Sequence, residues 1–93
     1  MKSQTPHDSY ALALSALAAT LSDERRAQRF LDLTGIETDE LRARAAEPQL
    51  LTALLLFLEA YEPDLVSVSG QIGVSAEELV AARRLIEGSY QKP

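Results

Sequence analysis

The chain has 93 residues, of which 46% are hydrophobic and 25% charged, so it is long enough for one small domain and too short for two. It contains no cysteine, no tryptophan and a single histidine, which excludes disulfides, zinc–thiolate sites and thiolate nucleophiles and leaves little material for acid–base catalysis. A net charge of −5 disfavours nucleic acid as a partner, because phosphate contacts require clustered cations. We therefore expect a non-catalytic globular domain without a cofactor or a metal ion.

The first predicted helix follows a flexible polar tail, residues 1–5, and extends to about Leu21. Thr5 and Pro6 are typical of an N-cap and of a first helical position. One tyrosine and three leucines recur at helical spacing and are predicted to be the buried face. These residues are Tyr10, Leu14, Leu17 and Leu21.

A second helix is predicted to begin at the Ser22-Asp23-Glu24 segment and to end at Gly35, and a third, short helix begins near Thr38 and stops before Pro48. Carboxylate pairs stand in the first turns of three predicted helices, where the helix dipole favours negative charge. The pairs are Asp23-Glu24, Asp39-Glu40 and Glu77-Glu78. Adjacent helical positions do not converge, so we interpret the pairs as capping residues and not as cation ligands.

The run from Leu50 to Leu58 is apolar at every position except Thr52, which predicts a helix that is buried on most sides. It is shorter than the roughly 20 apolar residues that a bilayer-spanning helix needs. We therefore expect this run to be the central helix of the core, with no membrane association. Because so apolar a helix is hard to cover in so small a domain, the run also suggests a homodimer in which two copies share it.

Beyond Pro63, a weaker helix is predicted from Leu65 to Ile72, and the turn Gly73-Val74-Ser75 separates it from a last helix over Ala76–Ile86. A flexible polar tail, residues 89–93, follows. The order of helix, glycine turn and helix over residues 65–86 is similar to a DNA-binding helix-turn-helix.

The charges of the residues predicted to face DNA argue against DNA binding by this helix-turn-helix. Arg83 and Arg84 are the residues that would contact DNA. Glu77 and Glu78, however, occupy the first turn of the second helix, which in such motifs faces base edges and phosphates. DNA binding is therefore the alternative hypothesis and not the leading one.

Three arginines cluster on the second predicted helix: Arg25, Arg26 and Arg29. Arg25 and Arg29 are four residues apart and repel each other. The cluster is either plain solvated surface or a binding site. As a binding site it has three candidate partners: the acidic second half of the same chain, a second copy, or an acidic partner protein.

The predicted elements together indicate an all-α fold, a compact bundle of five or six short helices around the Leu-rich central helix, in a single domain over residues 6–88. Three segments resemble a family of short bacterial proteins known only as a domain of unknown function, over roughly residues 10–87. They are Arg-Phe-Leu-Asp-Leu-Thr-Gly at 29–35, Leu-Arg-Ala-Arg-Ala-Ala at 41–46, and Pro48 with the Leu-rich run through Phe57-Leu58. The resemblance implies a small helical fold and no assigned activity.

The N-terminal residues lack the charged start and apolar stretch of a secretory signal, which favours the cytoplasm. We therefore expect a small non-catalytic protein-interaction or accessory protein of the bacterial cytoplasm. Arg25, Arg26 and Arg29 are its candidate partner-binding residues, and the partner is a protein or a second copy of the chain.

Overall fold

The computed structural model describes residues 6–90, with side chains from Asp8 onward, and these residues form six α-helices and no strand. The helices are α1 (Pro6–Leu21), α2 (Glu24–Thr34), α3 (Thr38–Arg44), α4 (Pro48–Glu59), α5 (Glu62–Ile72) and α6 (Ala76–Tyr90). The radius of gyration is 12.4 Å, and a compact chain of this length is expected to have roughly 12 Å. The structure thus confirms the predicted all-α bundle. The predicted N-terminal tail, including the Thr5 cap, lies outside the described residues.

Local capping signals end α2 and α5 and begin α6 where the sequence predicts. Gly35 and Gly73 follow α2 and α5 with φ of 72° and 78°, the left-handed region that glycine adopts without strain. At the start of α6, the backbone N–H of Glu78 donates to Ser75 Oγ at 3.1 Å. The N–H of Ser75 in turn donates to Glu78 Oε1 at 2.8 Å. This reciprocal pair is a capping box.

Two helices are longer than predicted. α5 begins at Glu62 and not at Leu65, because Pro63 stands in its first turn, where a missing N–H leaves no hydrogen bond unmade. α6 continues through Gly88 to Tyr90, so it includes the first two residues of the predicted C-terminal tail. Residues 91–93 of that tail lie outside the described part of the chain.

The Leu-rich helix α4 forms the centre of the core, as predicted. Its leucines at positions 50, 51, 54, 55 and 58 are at most 1% exposed, and Phe57 is 8% exposed. Helices α1, α5 and α6 pack around it, and α2 contacts it through the Phe30–Phe57 pair. One chain therefore covers the leucines and the phenylalanine of this helix except Leu56, which is 43% exposed. Coverage of α4 therefore gives little support to a homodimer, which stays a prediction.

Helix α1 buries a different face from the one predicted. Leu17 is 5% exposed as expected, but Leu14 and Leu21 are 41% and 37% exposed. The buried face carries mostly small side chains, namely Ser9, Ala13, Ala16, Ala19 and Thr20. This face packs against α6 and α4, and small residues let helix axes approach closely. Because α1 is uncharged from Ser9 to Leu21, leucine spacing was a poor guide to its orientation.

Gly35 has a left-handed backbone and Gly88 a helical one, so substitution by alanine is expected to have opposite effects on stability at the two positions. Gly35→Ala places a Cβ on a residue with φ of 72° and should lower the free energy of unfolding by about 1–2 kcal/mol. Gly88→Ala, inside α6, should raise it by about 0.5–1 kcal/mol. Neither new Cβ meets an atom within 4 Å, so packing does not obscure the comparison. Thermal unfolding of the two variants measures the difference, and equal shifts would contradict the left-handed cap.

Thr52 is the one polar residue of the Leu-rich run, and its hydroxyl is buried without a hydrogen-bond partner in the described part of the chain. Thr52→Val replaces that hydroxyl by a methyl group of similar size and should stabilise the protein by about 1–2 kcal/mol. The matched control is Thr20→Val, since the Thr20 hydroxyl is equally buried but donates to the Ala16 carbonyl at 2.8 Å. Urea unfolding should show stabilisation for Thr52→Val and none for Thr20→Val.

Candidate protein-binding site

The predicted arginine cluster of α2 is partly held by a carboxylate of α5. Arg26 Nε donates to Asp64 Oδ1 at 3.2 Å, and Arg29 donates to Asp64 Oδ2. Arg26 also donates to Ser67 Oγ at 3.2 Å. Asp64 is 6% exposed and the Arg26 side chain is 11% exposed, so the ion pair between them is largely shielded from water, whereas the Arg29 side chain is 45% exposed. Arg26 and Arg29 thus bind a carboxylate in the acidic second half of the same chain, which is one of the three candidate partners of the cluster.

The third arginine, Arg25, is exposed and makes no ion pair within residues 6–90. It lies at the edge of a groove of about 450 Å³ between α2 and the junction of α4 with α5. We call this the basic aromatic groove, and it is lined by Arg25, Arg29, Leu33, Phe57, Ala60 and Tyr61. Leu33 is 74% and Tyr61 is 53% exposed, so the groove presents apolar surface next to positive charge.

Arg29 lines this groove close to two aromatic rings. Its guanidinium carbon lies 5.2 Å from the centre of the Phe57 ring and 5.4 Å from that of Tyr61. Both distances are within the range of cation–π attraction. With Asp64 holding one side of the guanidinium and the rings flanking it, the position of Arg29 is set before any partner binds.

The fold explains why these side chains converge. Phe30 is the buried residue of α2 and packs edge-on against Phe57, with ring centres 5.4 Å apart. This contact fixes α2 against α4. Residues 25, 29 and 33 then lie along one flank of α2, because residues four apart share a face. Tyr61 stands at the N-cap of α5, directly after the end of α4, and so closes the groove.

The predicted helix-turn-helix corner is present as a pair of helices joined at Gly73. α5 ends in the left-handed glycine, whose following residue Val74 donates from its N–H to the Ser69 carbonyl at 2.9 Å. The capping box of α6 follows immediately. Glu77 and Glu78 are exposed in the first turn of α6, so the end of this helix that would face DNA is negative.

The two candidate DNA-contacting arginines differ in their surroundings. Arg83 donates from Nε and a terminal nitrogen to both carboxylate oxygens of Glu59, at 2.9 and 3.0 Å, and to Glu87 at 2.8 Å. These hydrogen bonds raise the pKa of Arg83 above its ordinary value, and the two carboxylates neutralise its charge. Arg84 is exposed and makes no ion pair among the described residues. A single arginine without a counter-ion neutralises few phosphates and gives little affinity for a DNA duplex.

Two of the three predicted carboxylate pairs contain a capping residue, and the Asp39-Glu40 pair does not, since α3 has no side-chain cap. Asp23 caps α2 by accepting the N–H of Arg26 at 2.9 Å, and this hydrogen bond lowers the pKa of Asp23 below its ordinary value. Glu78 takes part in the capping box of α6, and Glu40 pairs with Arg44 at 3.1 Å. Within residues 6–90, no three or more histidine, aspartate or glutamate side chains come together as a metal site. The helices of this part are also too short or too polar to span a bilayer.

Sequence reasoning missed Asp64, Phe57 and Tyr61 as members of the site. Asp64 follows a proline in a helical first turn, where an acidic residue is explained equally well by the helix dipole. Phe57 looked like any other core residue of the Leu-rich run. Their proximity to Arg29 depends on the packing of α2 against α4 and α5, which local spacing does not reveal.

Comparison with known proteins agrees with the resemblance inferred from the sequence. A family model described as "Protein of unknown function (DUF3572)" matches residues 6–89, a range that begins with α1 and extends into the last turn of α6. No curated protein and no solved structure matches the chain. The predicted family relationship is therefore confirmed, and the chain belongs to the DUF3572 family of proteins of unknown function.

Proposed function

We propose that this protein is a non-catalytic interaction module of the bacterial cytoplasm, and that the basic aromatic groove binds a segment of a partner protein. The observation that carries the proposal is the groove itself, in which two largely exposed apolar side chains, Leu33 and Tyr61, flank the arginines of α2. Tyrosine and arginine are enriched among the residues that dominate binding energy at protein interfaces.

The charge of the groove indicates the chemistry of the partner. Arg25 is attracted to the nearby Asp23 carboxylate but makes no ion pair in the described part of the chain, although the chain as a whole carries a net charge of −5. An exposed positive site favours an acidic group on the partner and disfavours a basic one. We infer a segment with a carboxylate for Arg25 and a large apolar side chain that packs between Leu33 and Tyr61.

The chemistry of the lining residues favours binding over catalysis. Arginine stays protonated at any physiological pH, so neither guanidinium serves as a general base. The remaining side chains are aliphatic or aromatic. The preset position of Arg29 reduces the conformational entropy that binding would otherwise remove.

DNA binding through α5 and α6 remains the alternative hypothesis, and the ion pairs of Arg83 count against it. A direct comparison is a titration of isotope-labelled protein with a DNA duplex at about 50 mM salt, where phosphate contacts are strong. We expect no shifts in the amide signals of Glu77, Arg83 and Arg84. Saturable shifts at these residues would favour the helix-turn-helix and contradict the proposed function.

Substitutions that test the groove must change exposed side chains that do not hold the fold together. Reversal of Arg26 or Arg29 would remove one of the two partners of the buried Asp64 carboxylate, would place a second carboxylate beside it, and would confound binding with unfolding. Arg25→Glu and Tyr61→Ala alter exposed side chains and should preserve the fold. Arg84→Glu is the matched control, because Arg84 is also an exposed arginine without an ion pair in the described residues.

The experiment is affinity capture of partners by the tagged full chain from native lysate, with and without nuclease, followed by mass spectrometry. We expect the wild type and Arg84→Glu to retain the same stoichiometric partner after nuclease treatment. Arg25→Glu and Tyr61→Ala should each reduce its recovery at least about tenfold, as for interface hot spots. A partner that Arg25→Glu and Tyr61→Ala retain, or that nuclease removes, would refute the proposal.

A further inference from the structure

A second cleft lies on the opposite flank of α2 from the basic aromatic groove. Its volume is about 370 Å³, and it is bounded by the end of α1, by α2 and by α3. We call it the α3 cleft, and its lining residues are Leu17, Leu21, Ala27, Leu31, Thr38, Leu41, Arg42 and Ala45. Positions 27 and 31 stand on one side of the buried Phe30, and positions 25, 29 and 33 stand on the other. The two sites therefore share a helix but no lining residue.

The α3 cleft is apolar along most of its wall and reaches the solvent. Six of the lining residues are leucine or alanine. Leu21 is 37% exposed, and Leu31 and Ala45 are only partly buried. The outer wall, α3, has seven residues and buries a single side chain, Leu41. The chain thus leaves an apolar recess beside its shortest helix.

Two polar groups stand together on α3 at the rim of this recess. Thr38 and Arg42 are four residues apart, and therefore lie on one face of α3. Arg42 is exposed and makes no ion pair within residues 6–90, whereas Arg44 is held by Glu40 and Glu47 at 3.1 and 2.9 Å. A cation without a counter-ion and a hydroxyl next to leucines match an anionic head group on an apolar body.

We propose that the α3 cleft binds an alkyl carboxylate, with its chain among the leucines and its carboxylate on Arg42 and Thr38. A volume of about 370 Å³ is at the small end of ligand pockets. It holds about a dozen water-sized groups at roughly 30 Å³ each, which is the number of non-hydrogen atoms in decanoate. The proposal is independent of the proposed function, because it uses none of the groove residues.

The placement of polar groups favours an alkyl chain over a peptide. A peptide would bring a donor and an acceptor at every residue into the recess, and each one buried without a partner is costly. The α3 cleft offers polar side chains only at its Thr38 and Arg42 end. An alkyl chain has no such requirement and needs only its carboxylate to be satisfied.

The test is a titration of isotope-labelled full-length protein with decanoate, kept below its micelle-forming concentration and followed by amide NMR shifts. We expect saturable shifts centred on Leu21, Leu31 and Leu41. Octanoate should bind about tenfold more weakly, because it buries two fewer methylene groups. Decanol, which lacks the charge, should bind about threefold to tenfold more weakly than decanoate.

Variants separate the roles of charge and shape. Arg42→Gln should weaken decanoate binding about threefold to tenfold and remove the preference over decanol, while the matched Arg84→Gln should bind as the wild type does. Ala27→Phe should fill the cleft and abolish binding, with thermal unfolding as the check that the fold persists. Three results would overturn the proposal: no saturable shifts in the wild type, an unchanged affinity in Arg42→Gln, or tighter binding of leucyl-leucine than of decanoate.

Discussion

Phe30→Ala is expected to lower the free energy of unfolding by about 3–5 kcal/mol, the usual range for a fully buried phenylalanine. Phe30 has no exposed surface, and it is the buried side chain through which α2 packs edge-on against Phe57. A chain of this size is stable by about 5–14 kcal/mol in total, so the variant approaches unfolding. Because Phe57 also lines the basic aromatic groove, binding of the partner should be lost together with stability.

Urea unfolding followed by circular dichroism measures the effect. Leu33→Ala is the matched control, since Leu33 lies on the same helix but is 74% exposed, and its substitution should change stability by less than about 0.5 kcal/mol. The control variant should still weaken partner binding, because Leu33 lines the groove. A loss below about 1 kcal/mol for Phe30→Ala would mean that something other than this contact holds α2.

Asp64→Ala has the second largest expected effect, a loss of about 2–4 kcal/mol. The substitution removes the carboxylate that accepts from Arg26 and Arg29, and a nearly buried charge without its partner is strongly destabilising. The Arg26 side chain is 11% exposed and has little access to water. The Arg29 side chain is 45% exposed and regains part of its hydration, which is why we expect less than the upper limit for a buried pair.

Glu62→Ala is the control for the position of Asp64 in the first turn of α5. Both residues interact favourably with the helix dipole, which is worth about 0.3–1 kcal/mol. If Asp64→Ala lowers the free energy of unfolding by more than Glu62→Ala does, the difference is the contribution of the ion pairs. A double-mutant cycle with Arg26→Ala should give a coupling energy of about 0.5–3 kcal/mol. A coupling near zero would contradict the contact between Arg26 and Asp64.

Features that depend on neighbouring residues could be predicted from the sequence. Gly35, Gly73 and the Ser75–Glu78 capping box mark helix ends correctly, because each acts through hydrogen bonds within one turn. The Leu-rich run was also correctly assigned to the core, since an apolar helix of that length has no other stable position in a small domain.

Features that depend on which helices meet could not be predicted. The exposed faces of Leu14 and Leu21 follow from the packing of α1 on α6, and an uncharged helix carries no polar face to indicate its orientation. The partners of Arg26 and Arg29 are 38 and 35 residues away in the sequence. Periodicity and spacing within a single helix contain no information about such distant contacts.

The packing of α1 against α6 also has a consequence for synthesis of the chain on the ribosome. α1 makes its most extensive contacts with α6, and the hydroxyls of Tyr10 and Ser89, 79 positions apart, lie 3.0 Å from each other. Because α1 is synthesised before α6, the part of its buried face that packs on α6 stays uncovered until α6 has emerged. At about 5–20 residues per second, the nascent chain spends seconds with apolar α4 partly uncovered. We expect folding to finish in one late step, after α6 has emerged, and truncated chains that lack α6 to aggregate.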